Sequence, residues 1–169
     1  MALVLAKVTA TGLAGVFSGA ATFITLAQHP ALLETDDVLF QAPFFRRMYF
    51  YAARMQAPLA LGSGCCALVV GAFDRHSSKA EARLWLFSGA LIVSIVPYTI
   101  ARMLHVNCQL VDSKRCREHG NSWMQRMLQL WGRLHSVRTG VSLVAFTGML
   151  LALSMSPERQ VVSTPVVPV

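Results

Sequence analysis

The stretch LWLFSGALIVSIVPYTIA, residues 84–101, decides the fold, because no charged side chain interrupts it between Arg83 and Arg102. An α-helix needs about 20 apolar residues to cross the ~30 Å hydrocarbon core of a bilayer. A helix also satisfies its backbone hydrogen bonds internally, which lipid requires of any segment that crosses it. The stretch therefore predicts a membrane-spanning helix.

The composition of the whole chain supports the same interpretation. Of its 169 residues, 54% are hydrophobic and only 14% are charged, and the mean hydropathy is +0.50. Ordinary soluble domains carry about 25% charged residues. The length fits one domain, and this much apolar surface suits a lipid solvent better than a water-facing shell. The sequence predicts an integral membrane protein.

The net charge of +7 does not by itself indicate nucleic-acid binding. Most basic residues lie between or at the ends of the apolar stretches, where they match anionic lipid headgroups. No basic tract is interleaved with aromatic residues, as a nucleic-acid surface would require. We therefore expect the lipid bilayer and a hydrophobic small molecule or lipid as partners, and no nucleic acid. The sequence leaves homo-oligomerisation open.

Four apolar segments are each long enough to span a membrane as a helix. They run over residues 8–28, 55–73, 82–105 and 127–155. This pattern predicts an all-α fold, a four-transmembrane-helix antiparallel bundle, as one domain over residues 1–156 followed by a flexible tail, 157–169. The first segment could instead be a cleaved signal peptide, but its apolar run is longer than usual and Lys7 is its one basic residue.

Two of the connections between these segments are long. The second half of residues 29–54 sets two arginines among aromatic residues, which predicts an amphipathic interfacial helix leading into the second span. Residues 108–126 form the other long connection. They contain Cys108 and Cys116, which either form a disulfide in an oxidising lumen or stay reduced, and the sequence does not decide between these states.

The fourth span carries a polar stripe. Positions three, four and seven apart share one face of a helix, and that spacing relates Trp131, His135, Arg138 and Ser142. A charged side chain within a bilayer costs several kcal/mol unless it faces protein, water or a partner, so we expect the stripe to face the bundle interior. The alternative is that Trp131 belongs to an interfacial aromatic belt and Arg138 extends to the headgroups.

The third span carries a second set of polar residues. Pro97 lies within it and removes a backbone hydrogen bond, a break that membrane helices tolerate beside cavities or neighbouring helices. The positions after it share two adjacent stripes: Thr99, Arg102 and His105 on one, and Met103, Asn107 and Leu110 on the other. They form part of an internal site, or else a packing kink that ends in an interfacial Arg–His pair. Residue chemistry supports both interpretations equally.

No metal or cofactor site is predicted. Three histidines, His29, His105 and His135, fall near the same membrane face, but no HxxxH or HxxE pair joins them. A lone histidine at a helix end is usually interfacial, and the chain has no phosphate loop, dinucleotide fingerprint or nucleophile elbow. Nothing in the sequence requires a bound metal or haem, and it does not exclude one.

On these residues the chain resembles the DUF1772 family of small four-helix membrane proteins, which includes the fungal anthrone oxygenases. The family's first helix is rich in small residues and ends near a proline, similar to residues 12–30 here. Its most recognisable signature is a Pro-aromatic-Thr run followed by Met and then by Asn-x-x-Leu. That signature is similar to Pro97-Tyr98-Thr99, Met103 and Asn107-Cys108-Gln109-Leu110.

The last helix of the family carries Trp, Asn and Arg at the positions of Trp131, His135 and Arg138. The histidine at 135 is therefore a departure, as is Val106, which stands where the family commonly has a proline. His135 either installs a base or marks a member with a different ligand and no oxygenase chemistry.

The resemblance implies an anthrone oxygenase-type monooxygenase. Such an enzyme oxidises a tricyclic aromatic ketone with an acidic CH₂ group to the quinone, with O₂ as co-substrate and no cofactor required. Its site needs a base, a donor for the enolate oxygen and an apolar slot for the rings. His135 or His105 would be the base, and Arg138 with Asn107 would stabilise the anion. The substrate-binding residues would be Tyr98, Thr99, Met103 and Trp131.

Two other functions compete with this one. The first is a non-enzymatic integral membrane protein with a structural or lipid-binding role, and the weaker second is a transporter, for which an inverted repeat is missing. An enzyme predicts a cavity where Arg138, Asn107 and a histidine converge from two helices. A structural role predicts that these groups pair directly and leave no cavity.

Overall fold

The computed structural model describes residues 1–155, and every regular element in that range is helical. In chain order the elements are α1 (Ala2–Phe23), a π-helical turn (Ile24–Gln28), α2 (His29–Leu33), α3 (Val38–Phe73), α4 (Lys79–Tyr98), a second π-helical turn (Thr99–Met103), α5 (Leu104–Val111), α6 (Ser113–His119) and α7 (Asn121–Met155).

These elements join into four long rods that pack together, and each is long and apolar enough to cross a membrane. The rods are span 1 (Ala2–Leu33), span 2 (Val38–Phe73), span 3 (Lys79–Val111) and span 4 (Asn121–Met155). Going round the bundle, α1 contacts α3, α3 contacts α4, α4 contacts α7 and α7 contacts α1 again. The predicted all-α bundle of four apolar helices is confirmed, and the arrangement is that of an integral membrane protein.

The spans are longer than the hydropathy pattern predicts. Helix α3 begins at Val38, where the Asp37 side chain accepts a hydrogen bond from the Leu39 amide, so the expected interfacial helix and the second span are one continuous helix. Its first half stays helical because Phe45 and Met48 pack into the core. The expected connection of residues 29–54 therefore shrinks to residues 34–37, and the predicted tail, 157–169, lies outside the described residues.

The second long connection is also mostly helical. Helix α6 is capped by Asp112, whose side chain accepts hydrogen bonds from two backbone amides, and the chain turns at Gly120 with a φ of +78°. That φ lies in the left-handed region, which glycine adopts without strain. Cys116 in α6 is buried and Cys108 is exposed, and both are free thiols, so the structure contains no disulfide between them.

Two buried clusters with different packing fill the interior. The first consists largely of small residues, and Ala10, Ala14 and Ala67 there are fully buried. A Cβ added to Gly64 would clash with Val93, which shows how closely α3 and α4 approach. The second cluster is built from large side chains, among them Phe45, Met103 and Trp131. Small residues thus bring the helices together at one end, while bulky ones hold them apart at the other.

Each of the two π-helical turns contributes a residue to the second cluster, Ile24 from the first and Met103 from the second. Each adds about one residue to a helical turn, which rotates the following side chains by roughly 100° around the helix axis. The turn at residues 99–103 directly follows Pro97, which cannot donate a backbone hydrogen bond. The Thr99 hydroxyl donates to the Ile95 carbonyl at 2.7 Å, which already accepts from the Thr99 backbone amide. The break predicted at Pro97 is therefore a register shift within a continuous span.

At the end of the bundle built from small residues, three charged side chains form one ion cluster. The Lys7 Nζ lies 2.8 Å from Asp74 Oδ2 and 2.7 Å from Glu81 Oε1. Glu81 is fully buried. The cluster ties the start of span 1 to the end of span 2 and the start of span 3. The hydrogen bond from Lys7 lowers the pKa of Asp74, in the turn between spans 2 and 3, from 3.8 to about 2.

Candidate active site

A cavity of about 250 Å³ lies between the four spans, beside the second cluster. Its walls are mostly apolar, and the polar side chains that reach it come from three spans. These are Tyr49, Gln56, Thr99, Asn107, His135 and Arg138. The convergence of Arg138, Asn107 and a histidine from two spans on a cavity is the arrangement that an enzyme predicts, whereas a purely structural cluster would have left no space.

Trp131 forms one wall of the cavity and is held on three sides. Its indole Nε1 donates to Asn107 Oδ1 at 2.8 Å. Its ring stacks on the His135 ring at a centroid distance of 4.7 Å and an interplanar angle of 25°, and Phe45 meets it edge-on at 5.2 Å. Asn107 uses its carbonyl oxygen for this bond, and its amide nitrogen has no hydrogen-bond partner within residues 1–155. That nitrogen remains able to donate to a ligand.

His135 is 1% exposed and lines the cavity. Its Nδ1 lies 3.0 Å from the Thr25 hydroxyl and 3.4 Å from the Thr139 hydroxyl. Nothing in the described part of the chain forms a hydrogen bond with its Nε2. One ring nitrogen is therefore held by the protein while the other is left for a ligand.

Arg138 is held by two groups, neither of which carries a negative charge. Its guanidinium donates to Gln56 Oε1 and lies 5.3 Å from the centre of the Phe17 ring. No acidic side chain among residues 1–155 pairs with it, and its enclosed Nε has no hydrogen-bond partner there. An arginine without an anion is costly in an apolar environment, so the site is electrostatically suited to an anionic ligand.

Most of the residues predicted from the sequence line this cavity, namely Thr99, Met103, Asn107, Trp131, His135 and Arg138. His105 does not, because it is exposed and its ring nitrogen bonds to the Gln109 side chain at 2.7 Å. The π-helical turn explains this: its extra residue turns Met103 and Asn107 inward and leaves His105 on the outer surface. Tyr98 also misses the cavity, since its hydroxyl donates to the Leu134 carbonyl.

Several residues of the site were not predicted. Phe17, Thr25, Gln56 and Thr139 hold His135 and Arg138 in place. The available signal was a polar side chain inside an apolar span, which marks Gln56 and Thr25. That signal alone could not connect them to residues on another helix.

The cavity has an opening on the outer surface of the bundle. Ala57 of α3, Ile100 of the second π-helical turn and Leu104 of α5 line the cavity and are exposed as well, Ile100 by 61% and Leu104 by 45%. All three belong to membrane-spanning segments. The opening therefore faces the apolar surroundings of the bundle rather than a polar loop.

The histidines do not assemble into a metal site. Over residues 1–155, no group of three or more His, Cys, Asp or Glu side chains lies close enough to hold a metal ion. His29 is buried and bonds to the Leu128 carbonyl at 2.9 Å, and its ring centre lies 5.6 Å from that of Trp131. It supports the wall of the cavity from behind.

Comparison with known proteins confirms the resemblance found in the sequence. The family model described as anthrone oxygenase matches residues 45–148, a range that includes most of the cavity. The chain is 28% identical over 140 residues to monooxygenase hypC of Dothistroma septosporum, covering 80% of this chain and 74% of that protein. It is 28% identical over 153 residues to anthrone oxygenase AgnL2 of Paecilomyces divaricatus, covering 86% and 92%. No solved structure matches. The chain belongs to the anthrone oxygenase family.

Proposed function

We propose that the protein oxidises a hydrophobic, anthrone-type substrate with O₂ to the quinone inside this cavity. One observation carries the proposal: His135, with one ring nitrogen unbonded, and Arg138, with no carboxylate partner in the described chain, line the same apolar cavity. The volume of about 250 Å³ is just below the ~300–1,000 Å³ of drug-sized ligand sites, which suits a flat tricyclic molecule.

The first step is removal of a proton from the substrate CH₂ group. His135 Nε2 accepts this proton, and the electron pair left behind spreads over the rings to the carbonyl oxygen, so the product is an aromatic enolate. The Arg138 guanidinium and the free amide nitrogen of Asn107 stabilise the negative charge on that oxygen. Donors arranged in advance around a developing anion are among the strongest contributions to catalysis in a dry site.

The oxidation then requires only O₂. The enolate passes an electron to O₂, the two radicals combine at the former CH₂ carbon, and loss of water leaves a carbonyl group there. One oxygen atom of O₂ enters the quinone and the other leaves as water, so no cofactor has to supply or remove electrons. Trp131 and Met103 provide the apolar walls against which the rings lie.

The test is oxygen uptake by the purified protein in detergent, supplied with an anthrone and corrected for autoxidation. His135→Ala should lower kcat by about 10²–10⁴-fold, as loss of a general base does. The matched control is His105→Ala, which removes the exposed histidine of the same face and should leave kcat unchanged.

His135→Asn introduces the asparagine that the family has at this position. It distinguishes a histidine that acts as the base from one that only marks a member with a different ligand. If His135 is the base, His135→Asn should be as inactive as His135→Ala. Background rates from a verified folded wild-type protein would rule out an anthrone as the substrate, and they would favour the structural or lipid-binding role.

A further inference from the structure

The hydroxyl of Thr25 is the closest hydrogen-bonding group to the His135 ring. Thr25 Oγ1 lies 3.0 Å from His135 Nδ1, 2.9 Å from the Ala21 carbonyl and 2.8 Å from the Thr139 hydroxyl. We propose that Thr25 is a positioning residue that fixes His135 in the Nδ1–H tautomer and so presents the Nε2 lone pair to the cavity. The proposal rests on the function proposed above, in which Nε2 is the base.

The assignment follows from counting hydrogens. A threonine hydroxyl has one hydrogen to donate and can accept two. Thr25 donates its hydrogen to the carbonyl of Ala21, one turn earlier in its own span. Its oxygen is then left to accept from His135 Nδ1, whether the Thr139 hydroxyl donates to Thr25 at 2.8 Å or to the His135 carbonyl at 3.1 Å. Nδ1 therefore carries the hydrogen of the neutral ring.

The other tautomer would be worse on the Nδ1 side of the ring. With the hydrogen on Nε2, Nδ1 would need a hydrogen from Thr25, which would give up its bond to the Ala21 carbonyl, or from Thr139 at 3.4 Å, which would give up its shorter bond to the His135 carbonyl at 3.1 Å. On the cavity side the two tautomers are alike, because Nε2 has no partner among the described residues either as donor or as acceptor. Stacking against Trp131 at 4.7 Å keeps the ring from flipping to exchange its nitrogens.

Thr25 reaches the ring from another helix. It belongs to the first π-helical turn, on span 1, whereas His135 and Thr139 are on span 4. A histidine that replaces asparagine at this position is useful as a base only if the correct nitrogen is deprotonated. The hydrogen bond with Thr25 on span 1 determines which ring nitrogen of His135 is protonated.

The decisive experiment reads the tautomer directly in the resting protein, without substrate. Nitrogen NMR of protein labelled with ¹⁵N-histidine, with His135→Asn identifying the His135 signals, should show a protonated Nδ1 and an unprotonated Nε2. Thr25→Val, which removes the hydroxyl and keeps the shape, should shift the tautomer equilibrium towards Nε2–H by about three- to tenfold, the worth of one hydrogen bond. A wild-type His135 protonated on Nε2, or an unchanged equilibrium in Thr25→Val, would overturn the proposal.

Thr22→Val is the matched control, because the buried Thr22 hydroxyl has no hydrogen-bond partner within residues 1–155. It makes the same chemical change one helical turn earlier on span 1, and it should leave the His135 signals as they are. Thr25→Ser keeps the hydroxyl and should retain the wild-type tautomer. A shift of equal size in Thr22→Val would mean that the ring responds to general loosening of span 1, which contradicts the proposed role of Thr25.

Activity gives a second, separate measurement. In Thr25→Val, kcat should fall in proportion to the remaining Nδ1–H fraction, and Thr25→Ser should recover most of it. If kcat falls while the tautomer is unchanged, Thr25 acts only on stability and the proposal fails. If the NMR result is as expected but no anthrone is oxidised, the tautomer assignment stands and the proposed reaction is the part that is wrong.

Discussion

Two regions of the bundle bury positive charge in opposite ways. At one end, the Lys7 ammonium lies between two carboxylates, Asp74 and Glu81, at 2.8 and 2.7 Å. Halfway along span 4, Arg138 is held by an uncharged amide and an aromatic ring, and no carboxylate of residues 1–155 pairs with it. The first cation is neutralised by the protein itself, and the second keeps its charge for a ligand.

The packing around Lys7 and around Arg138 also differs. Small residues pack the helices closely near Lys7, whereas large side chains and two π-helical turns surround the cavity beside Arg138. Burial of charge is therefore not enough to indicate a functional site. What distinguishes the surroundings of Arg138 is hydrogen-bonding capacity that the protein leaves unused, next to a space that a ligand can enter.

Of the changes that test this comparison, removal of the Arg138 cation should have the largest effect. Arg138→Leu should lower kcat for anthrone oxidation by about 10²–10³-fold, because the developing enolate loses its main electrostatic partner. Its free energy of unfolding should fall by about 1–3 kcal/mol at most, because leucine suits the apolar wall but leaves the buried Gln56 carbonyl without its partner. Arg133→Leu, at an exposed position on the same helix, is the control and should retain full activity. Wild-type activity in Arg138→Leu would show that the Arg138 charge has no role in the reaction.

The opposite result is expected at the ion cluster of Lys7, Asp74 and Glu81. Lys7→Met should lower the free energy of unfolding by about 3–5 kcal/mol, because it removes a cation that pairs with the buried Glu81 carboxylate. The kcat of the folded variant should match that of the wild type, as Lys7 does not line the cavity. Chemical denaturation in detergent measures the stability, with Lys79→Met, an exposed lysine of the same end, as the control. A stable but inactive Lys7→Met variant would contradict the view that the ion cluster stabilises the fold and takes no part in the reaction.

A smaller effect is expected behind the cavity wall. A Cβ added to Gly132 would overlap the His29 ring, which packs in turn against Trp131. Gly132→Ala should therefore lower the free energy of unfolding by about 1–3 kcal/mol, as overpacking does, and should also reduce kcat. On the same helix, nothing lies within 4 Å of a Cβ added to Gly140. Gly140→Ala should be neutral or stabilising, and equal effects of the two substitutions would show that His29 moves freely.

The smallest effect is the response of the ion cluster to acid. Lys7 lowers the pKa of Asp74 from 3.8 to about 2, so the unfolded chain takes up this proton at a higher pH than the folded one. The stability from Asp74 is complete above about pH 4 and is lost as the pH falls towards 2. Thermal unfolding across that range should show a fall in Tm that is smaller in Lys7→Met. Parallel curves would show that Asp74 contributes nothing through Lys7.

The sequence was sufficient for features that depend on a regular helix. Span 4 is uninterrupted, so the spacing of Trp131, His135 and Arg138 predicted a shared inner face, and these residues do line the cavity. The same spacing put Thr99, Arg102 and His105 on one stripe of span 3, and of these only Thr99 lines the cavity. The π-helical turn changes the register by one residue, and no hydropathy pattern shows such a turn. The start of α3 was misplaced for a related reason, since tertiary packing of Phe45 and Met48 keeps that segment helical.

Contacts between distant helices could not be predicted from the sequence. In the sequence, Lys7, Asp74 and Glu81 are far apart or lie in different segments, and Thr25 and Gln56 are single polar residues among apolar ones. Each acquires a role only when the rods are packed together, through bonds such as Lys7 to Glu81 and Arg138 to Gln56. Periodicity describes one helix at a time, whereas these partners depend on which faces of two helices meet.

The opening framed by Ala57, Ile100 and Leu104 has a consequence for how the kinetics should be measured. A substrate that enters there comes from the lipid or detergent phase, so the relevant concentration is its mole fraction in that phase. Adding empty micelles or vesicles would then dilute the substrate without changing its amount per volume of buffer. The apparent KM would rise with total amphiphile, and constants measured at different detergent contents become comparable only after conversion to surface units.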